Sequence, residues 1–95
     1  MKLNHTAIAG TLESSDAQIT VSPGSGGIKL SLESTVMREF GRQIRETVLR
    51  TLEKNGVSDC EITVVDHGAI ECTLEARVEC AIYRAADQFE NLPWR

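Results

Sequence analysis

Histidine and cysteine, which often act as catalytic residues or metal ligands, are few in this chain, and their spacing forms no familiar catalytic motif. His5 and His67 are the two histidines, and neither belongs to an H-x-x-x-H pair. The three cysteines, Cys60, Cys72 and Cys80, include no C-x-x-C pair, so they predict neither a zinc framework nor a disulfide scaffold. A G-x-S-x-G elbow is also missing. The sequence therefore predicts no catalytic residue and no metal site.

Composition and charge exclude several classes of partner. The 95 residues predict one domain, 1–95, and the net charge of −4 argues against binding to a phosphate backbone. Only four residues are aromatic, too few for stacking on single-stranded bases. No apolar run approaches the roughly 20 residues that span a bilayer, and the N-terminus lacks the apolar region of a signal peptide. We therefore expect a cytoplasmic protein that binds neither nucleic acid nor membrane, with its cysteines reduced.

The first third of the sequence has the chemistry of strands and turns. Residues 6–12 and 17–21 predict two strands, the second with small or apolar residues alternating with polar ones. The polar segment 13–16 between them predicts a turn, so the two strands should form a β-hairpin with Ser14 at its tip. Serine and aspartate are common in turns, and residue types alone give Ser14 no special role.

A third strand and a first helix are predicted next. Residues 22–27 are rich in glycine but lack the Lys-Ser/Thr ending of a phosphate-binding loop, so they predict a connector. Apolar residues alternate over 28–33, as in a strand. The helix should be capped by Ser34 or Thr35 and end at Asn55-Gly56. Its predicted apolar face repeats every four residues: Val36, Phe40, Ile44, Val48 and Leu52.

The last third predicts a fourth strand, a second helix and a short tail. Residues 60–66 are β-branched and alternating, which is typical of a strand. A helix is predicted from about residue 70 to 88, and residues 91–95 should form a loose C-terminal tail. The predicted apolar face of this helix comprises Ile70, Leu74, Val78, Ile82, Ala85 and Phe89. The order β-β-β-α-β-α indicates an α+β fold, a small sheet of about four strands with two amphipathic helices on one face.

A second, mildly apolar strip runs along the second helix, away from its main apolar face. Cys72, Ala76, Cys80 and Tyr83 fall close together at 100° per residue. The strip predicts packing against a loop, simple surface exposure, or a surface for a partner subunit. Its residue types do not distinguish these alternatives.

Three segments resemble the acyl carrier proteins (gamma chains) of citrate lyase. The octet Ala9-Gly10-Thr11-Leu12-Glu13-Ser14-Ser15-Asp16 is similar to the family's prosthetic-group attachment segment, in which the modified serine follows Gly-Thr-Leu-Glu. By this resemblance the attachment residue is Ser14. The segment from Asp66 to Val78 and the pair Phe40-Gly41 are supporting matches. Ser15 stands where some relatives have glycine, which leaves two adjacent hydroxyl groups.

The resemblance implies a function and a set of partners. Ser14 would carry 2'-(5''-phosphoribosyl)-3'-dephospho-CoA through a phosphodiester, attached by a separate transferase. The thiol at the end of this arm would hold acetyl and citryl thioesters. An alpha subunit would exchange acetyl for citryl, and a beta subunit would cleave citryl to oxaloacetate. The chain itself would be a non-catalytic carrier subunit.

Two other functions stay open at this point. The carrier subunit of malonate decarboxylase has a similar arm, although the Gly-Thr-Leu-Glu-Ser segment favours citrate lyase. A non-carrier assembly module without any covalent group is the second alternative. The acyl carrier of fatty-acid synthesis is excluded, because its Asp-Ser-Leu motif does not occur in this chain.

Overall fold

The computed structural model describes residues 1–88, which form a four-stranded sheet and two helices. Phe89 and the predicted tail, 91–95, lie outside the described residues. The order β-β-β-α-β-α and the α+β class agree with the prediction. The elements, in chain order, are β1 (Ala7–Gly10), β2 (Ala17–Pro23), β3 (Ile28–Ser34), α1 (Met37–Lys54), β4 (Cys60–Asp66) and α2 (Glu71–Ala85).

The strands lie in the order β1-β2-β4-β3. Strand β2 pairs antiparallel with both β1 and β4, whereas β3 pairs parallel with β4. A parallel pair needs a crossover connection, and α1 supplies it between β3 and β4. The register pairs Ala17 with Asp66, so the start of β2 lies beside the end of β4. This register brings the loop before β2 next to the turn that follows β4.

Both helices cover the same face of the sheet. Helix α2 packs against β1 and β2, while α1 packs against β3 and α2. Alternate residues of the two central strands point into the core, as their alternating sequence predicts. Burial of each large aliphatic side chain contributes about 1.5–3 kcal/mol. The largest fully buried apolar side chains are Ile19, Val21, Leu52, Ile62, Leu74, Ile82, Val48, Val64 and Val78.

Phe40 is not part of this core, contrary to the predicted apolar face of α1. Its side chain is 50% exposed. At 100° per residue, Phe40 points in nearly the same direction as the buried Thr47 and Thr51. It lies in the first turn of α1, however, and there its side chain lines an open groove between the two helices rather than the closed core. Its exposure therefore reflects its place along the helix and not its direction around it.

Both helices are shorter than predicted within the described residues. Ser34 is the last residue of β3, and no side chain caps α1, which begins at Met37. The Ser34 hydroxyl instead donates to Asp66 Oδ2 at 2.8 Å and accepts from the Val36 amide at 3.1 Å. Helix α2 ends at Ala85, before the predicted residue 88, because Asp87 adopts a left-handed φ of 58°. Ser34 therefore supports a turn beside β4 rather than a helix terminus.

Candidate functional site

Residues 11–16 form the loop between β1 and β2, and Ser14 lies exposed near its middle. Thr11, Leu12, Glu13 and Ser15 are also exposed. The Ser14 side chain makes no hydrogen bond or ion pair within residues 1–88. Its hydroxyl group is thus open to another molecule, as the predicted hairpin tip requires.

An ion pair between Asp16 and Arg77 holds the base of this loop on α2. Arg77 Nε and Nη2 donate to the two Asp16 carboxylate oxygens at 2.9 and 3.1 Å. The Thr11 hydroxyl and the Ala17 amide each donate to the same carboxylate at 2.7 Å. The Arg77 guanidinium and the Thr11 hydroxyl hold the pKa of Asp16 well below its ordinary value of 3.8. The same bond raises the pKa of Arg77.

Backbone hydrogen bonds tie the loop to the turn after β4. The Ser15 amide donates to the His67 carbonyl oxygen at 2.7 Å, and the His67 amide donates to the Asp16 carbonyl oxygen at 2.9 Å. Ser15 has a left-handed φ of 64°. Glycine adopts this conformation at no steric cost, whereas residues with a Cβ atom adopt it rarely. Ser15 is therefore fixed through its backbone, while its neighbour Ser14 makes no such contact.

Asp66, which is 1% exposed, organises the turn that receives the loop. Its carboxylate accepts from the Gly68 amide at 3.1 Å and the Ala69 amide at 3.0 Å, in addition to the Ser34 hydroxyl. Its carbonyl oxygen accepts from the Thr35 amide at 3.1 Å. The hydrogen bonds to this buried carboxylate join the end of β3 to the turn after β4. Asp66 therefore holds the turn, and His67 within it, in a fixed position relative to the sheet.

Gly10 is required where β1 enters the loop. Its φ is +87°, and a Cβ atom there would lie 1.9 Å from the Ala17 carbonyl oxygen. It would also lie 3.2 Å from Arg77 Cδ. The glycine of the octet is therefore a structural residue that lets the chain pass between β2 and α2.

An apolar groove opens beside the same turn, between the first halves of α1 and α2. Its volume is about 350 Å³, and Gly68 and Ala69 form one end of its lining. Two of its apolar side chains, Phe40 and Ile70, are 50% and 66% exposed. Sequence periodicity placed both of them in the predicted core faces of the helices, and it therefore missed the groove.

The other candidate residues are distributed without forming a second site. Burial raises the pKa of the Cys60 thiol, whereas Cys72 is exposed. His5 Nδ1 lies 3.5 Å from Asp87 Oδ2, remote in sequence from the turn that holds His67. Across residues 1–88, no group of three or more His, Cys, Asp or Glu side chains could hold a metal ion. No helix in that part of the chain is long and apolar enough to cross a membrane.

The second strip on α2 is only partly exposed. Cys80 and Tyr83 are half-buried against the core, and Tyr83 Oη donates to Asn55 Oδ1 at 2.9 Å. Cys72 and Ala76 are exposed. Packing against the loop after α1 therefore explains the half-buried part of the strip, which includes Tyr83. That the exposed part, Cys72 and Ala76, contacts a partner subunit stays a prediction.

Comparison with known proteins identifies the family. The acyl carrier family model described as "Malonate decarboxylase delta subunit (MdcD)" matches residues 4–85. The citrate lyase acyl carrier protein of Vibrio cholerae serotype O1 (strain M66-2) is 48% identical over 95 residues, covering 99% of this chain and 96% of the relative. That of Fusobacterium nucleatum subsp. nucleatum is 52% identical over 88 residues, covering 92% and 94%. This chain belongs to the citrate lyase acyl carrier protein family.

The fold is shared with a chain of known structure. In the crystal structure of a Pseudomonas malonate decarboxylase hetero-tetramer in complex with malonate, one chain matches with a TM-score of 0.72 and 17% identity. The match covers 90% of this citrate lyase-type carrier and 92% of the solved chain. At that identity the likeness shows the fold alone. Membership of an acyl carrier family implies a covalently bound prosthetic group, and Ser14 is the residue that the sequence predicts for it.

Proposed function

We propose that this chain is the acyl carrier subunit, or gamma chain, of a citrate lyase, with its prosthetic group on Ser14. The observation that carries the proposal is the combination of a free, exposed serine with a fixed loop base. Ser14 itself makes no hydrogen bond or ion pair within residues 1–88, but Asp16 is hydrogen-bonded to Arg77 and Ser15 to His67. A partner enzyme would therefore meet an accessible hydroxyl in a defined position.

The surroundings of Ser14 fit the phosphoribosyl-dephospho-CoA arm. The four residues 12–15 are exposed, so a bulky phosphodiester can be joined to Ser14 without displacing core side chains. When bound, the arm supplies a thiol that holds acetyl and citryl groups as thioesters. No basic side chain of residues 1–88 bonds to the Ser14 hydroxyl, and its activation is assigned to the transferase. The chain's own part is to present and orient the attachment point.

The proposed partners follow from the same resemblance. An alpha subunit exchanges the acetyl group for citryl, and a beta subunit releases oxaloacetate, so the carrier contributes no bond chemistry. A tethered substrate reaches an effective concentration in the millimolar range, which favours transfer between two active sites. We place the complex in the cytoplasm and assign it neither nucleic acid nor membrane as a partner.

The carrier subunit of malonate decarboxylase is the second candidate function. The description of the matching family model favours it. The curated relatives at 45–52% identity favour citrate lyase. Offering the loaded chain to alpha and beta subunits of either complex would distinguish the two functions.

Intact-mass measurement tests the proposed site. The chain is co-expressed with the citrate lyase prosthetic-group transferase and its precursor-forming partner, and its mass is compared with that of the chain expressed alone. We expect the added mass of one arm, no addition in Ser14→Ala, and full addition in the matched control Ser15→Ala. Loading that survives in Ser14→Ala and disappears in Ser15→Ala would assign the group to the other hydroxyl. The absence of any added mass would favour a module without a covalent group.

A further inference from the structure

The groove between α1 and α2 has the lining of a site for a flat, partly apolar ligand. Two polar side chains, Gln43 and Thr47, stand among its apolar residues. The Glu71 carboxylate at its wall is paired with Arg50, which reduces its repulsion of a ligand that carries phosphate groups. The apolar lining residues are Val36, Phe40, Ile44, Ile70 and Leu74.

The groove begins within a short distance of the attachment residue. The Ser15 amide is bonded to the His67 carbonyl oxygen at 2.7 Å, and Gly68, which follows His67, lines the groove. Given standard bond lengths, the Ser14 Cα atom lies no more than about 8 Å from the Gly68 amide nitrogen. Any group linked to Ser14 by a short spacer can therefore reach the groove.

The chemistry of the proposed arm places a purine at the matching distance. Counting from the Ser14 oxygen, a phosphate and two pentose rings precede the adenine, a path of about ten covalent bonds of roughly 1.5 Å each. The adenine is the first flat, weakly polar group along this path. The diphosphate and the thiol-bearing part of the arm come after the adenosine and would extend away from it.

We propose that this groove binds the adenine of the carrier's own prosthetic arm and so fixes the first part of the arm while the thiol end stays free. The inference rests on the proposed function, since it requires the arm to be on Ser14. The exposed Phe40 ring offers a stacking face, and stacking on aromatic side chains is a general mode of base recognition. The Gln43 amide can both donate and accept, as adenine recognition by glutamine requires.

Tethering makes a weak site sufficient. A short flexible linker gives an effective concentration in the millimolar range, so a groove with a millimolar dissociation constant for free ligand would be occupied about half of the time. Without such a site the whole prosthetic arm moves about Ser14. With the adenine bound in the groove, only the segment of the arm beyond the adenosine moves. The range of the thiol would thereby be set by the groove as well as by Ser14.

Nuclear magnetic resonance of the loaded chain tests the inference directly. A ¹³C,¹⁵N-labelled chain is loaded with an unlabelled arm, and amide shifts and nuclear Overhauser effects are compared with those of the unmodified chain. We expect shift changes at Phe40, Gln43 and Ile70 as well as in the loop 11–16, and Overhauser effects from the adenine ring protons to the Phe40 ring. Dephospho-CoA added to the unmodified chain at millimolar concentration should shift the same groove residues.

Matched variants make the assignment specific. Phe40→Ala should lower the equilibrium constant for docking of the arm at least about fivefold, near the lower limit of base–aromatic stacking, so a half-occupied groove would become about one-sixth occupied. Ile8→Ala is the control, because Ile8 is similarly exposed, at 53% against 50%, and lies on β1 outside the groove lining. Well-dispersed amide spectra would establish that both variants are folded.

The outcomes separate this inference from the proposed function. A chain that is loaded on Ser14 but shows shift changes in the loop alone would overturn the adenine site and leave the carrier function intact. Groove shifts that need an added alpha or beta subunit would assign the groove to that partner, and shifts that grow with chain concentration would assign it to a second copy. Either result would also overturn the adenine site. A failure to load any arm would instead remove the proposed function.

Discussion

The loops at the two ends of strand β2 are both exposed, yet they are held in very different ways. The Ser14 loop, residues 11–16, is hydrogen-bonded to α2 through the Asp16 side chain and to the turn after β4 through the Ser15 amide. The glycine-rich loop, residues 24–27, is fixed at its end by Gly27. The Gly27 amide donates to the Asp59 carboxylate, and the Gly27 carbonyl oxygen accepts from the Cys60 amide at the start of β4.

The difference lies in how the ends of each loop are anchored rather than in how exposed they are. Arg77, 61 residues away in sequence from Asp16, connects the first loop to helix α2. In the second loop, a Cβ atom added at Gly26 or Gly27 would meet no other atom within 4 Å. The first loop thus presents an exposed serine on a fixed base, as we propose for an attachment site, and the following substitutions test that difference.

The largest effect is expected for Gly10→Ala, compared with Gly27→Ala. Both glycines have a φ of +87°, so the conformational penalty, about 1–2 kcal/mol, is shared. At Gly10 the added Cβ would also lie 1.9 Å from the Ala17 carbonyl oxygen, whereas at Gly27 it meets nothing within 4 Å. We expect Gly10→Ala to lower the free energy of unfolding by more than about 3 kcal/mol. Equal losses in the two variants, measured by urea unfolding, would contradict the close approach at Gly10.

A smaller loss should follow from Arg77→Met, which leaves the Asp16 carboxylate without its charged partner. Hydrogen bonds to charged groups contribute about 1.5–3 kcal/mol, and the Arg77 side chain is 40% exposed, so we expect a loss of about 1–2 kcal/mol. Arg50→Met is the control, because both side chains of the ion pair between Arg50 and Glu71 are more than half exposed. That variant should lose less than about 1 kcal/mol. A larger loss from Arg50→Met in chemical unfolding would refute the special role of the Asp16 pair.

The same carboxylate should make stability depend on acid pH. The pKa of Asp16 is lowered in the folded chain, chiefly by Arg77, so the folded state favours the ionised form. This stabilisation is complete above the ordinary pKa of 3.8 and is lost as the pH falls from there towards the lower folded-state value. The difference in unfolding free energy between the wild type and Asp16→Asn should therefore be constant from about pH 7 to about pH 5 and shrink towards about pH 2.5. A difference that grows on acidification would have the wrong sign for this account.

The smallest effect is expected at Ser14, the proposed attachment residue. Ser14→Ala should change the free energy of unfolding by less than about 0.5 kcal/mol, because Ser14 is exposed and makes no hydrogen bond or ion pair within residues 1–88. Phe40→Ala should fall below the roughly 3–5 kcal/mol typical of a core phenylalanine, since half of the side chain is exposed. Thermal unfolding of both variants checks this ranking. A loss from Ser14→Ala as large as that from Arg77→Met would show that the serine supports the fold.

The sequence predicts much of the fold and the position of Ser14, because these depend on local pattern. Alternation located β2 and β4, and the polar segment between two strands located the loop. The parallel pairing of β3 with β4 and the bond between Asp16 and Arg77 join distant residues, and no local pattern encodes them. Phe40 was misplaced because periodicity gives the direction of a side chain around a helix but not whether another element covers that end of the helix.

Reconstitution of citrate cleavage tests the carrier function most directly. Purified chain loaded on Ser14 and acetylated is assayed for oxaloacetate formation alone, with alpha subunit, with beta subunit, and with both. We expect turnover only when both subunits are present, none from unloaded chain or Ser14→Ala, and loss of turnover after a thiol reagent caps the deacetylated arm. Citrate turnover by the purified chain alone, or equal turnover by Ser14→Ala in the full mixture, would contradict the assignment of this chain as a carrier.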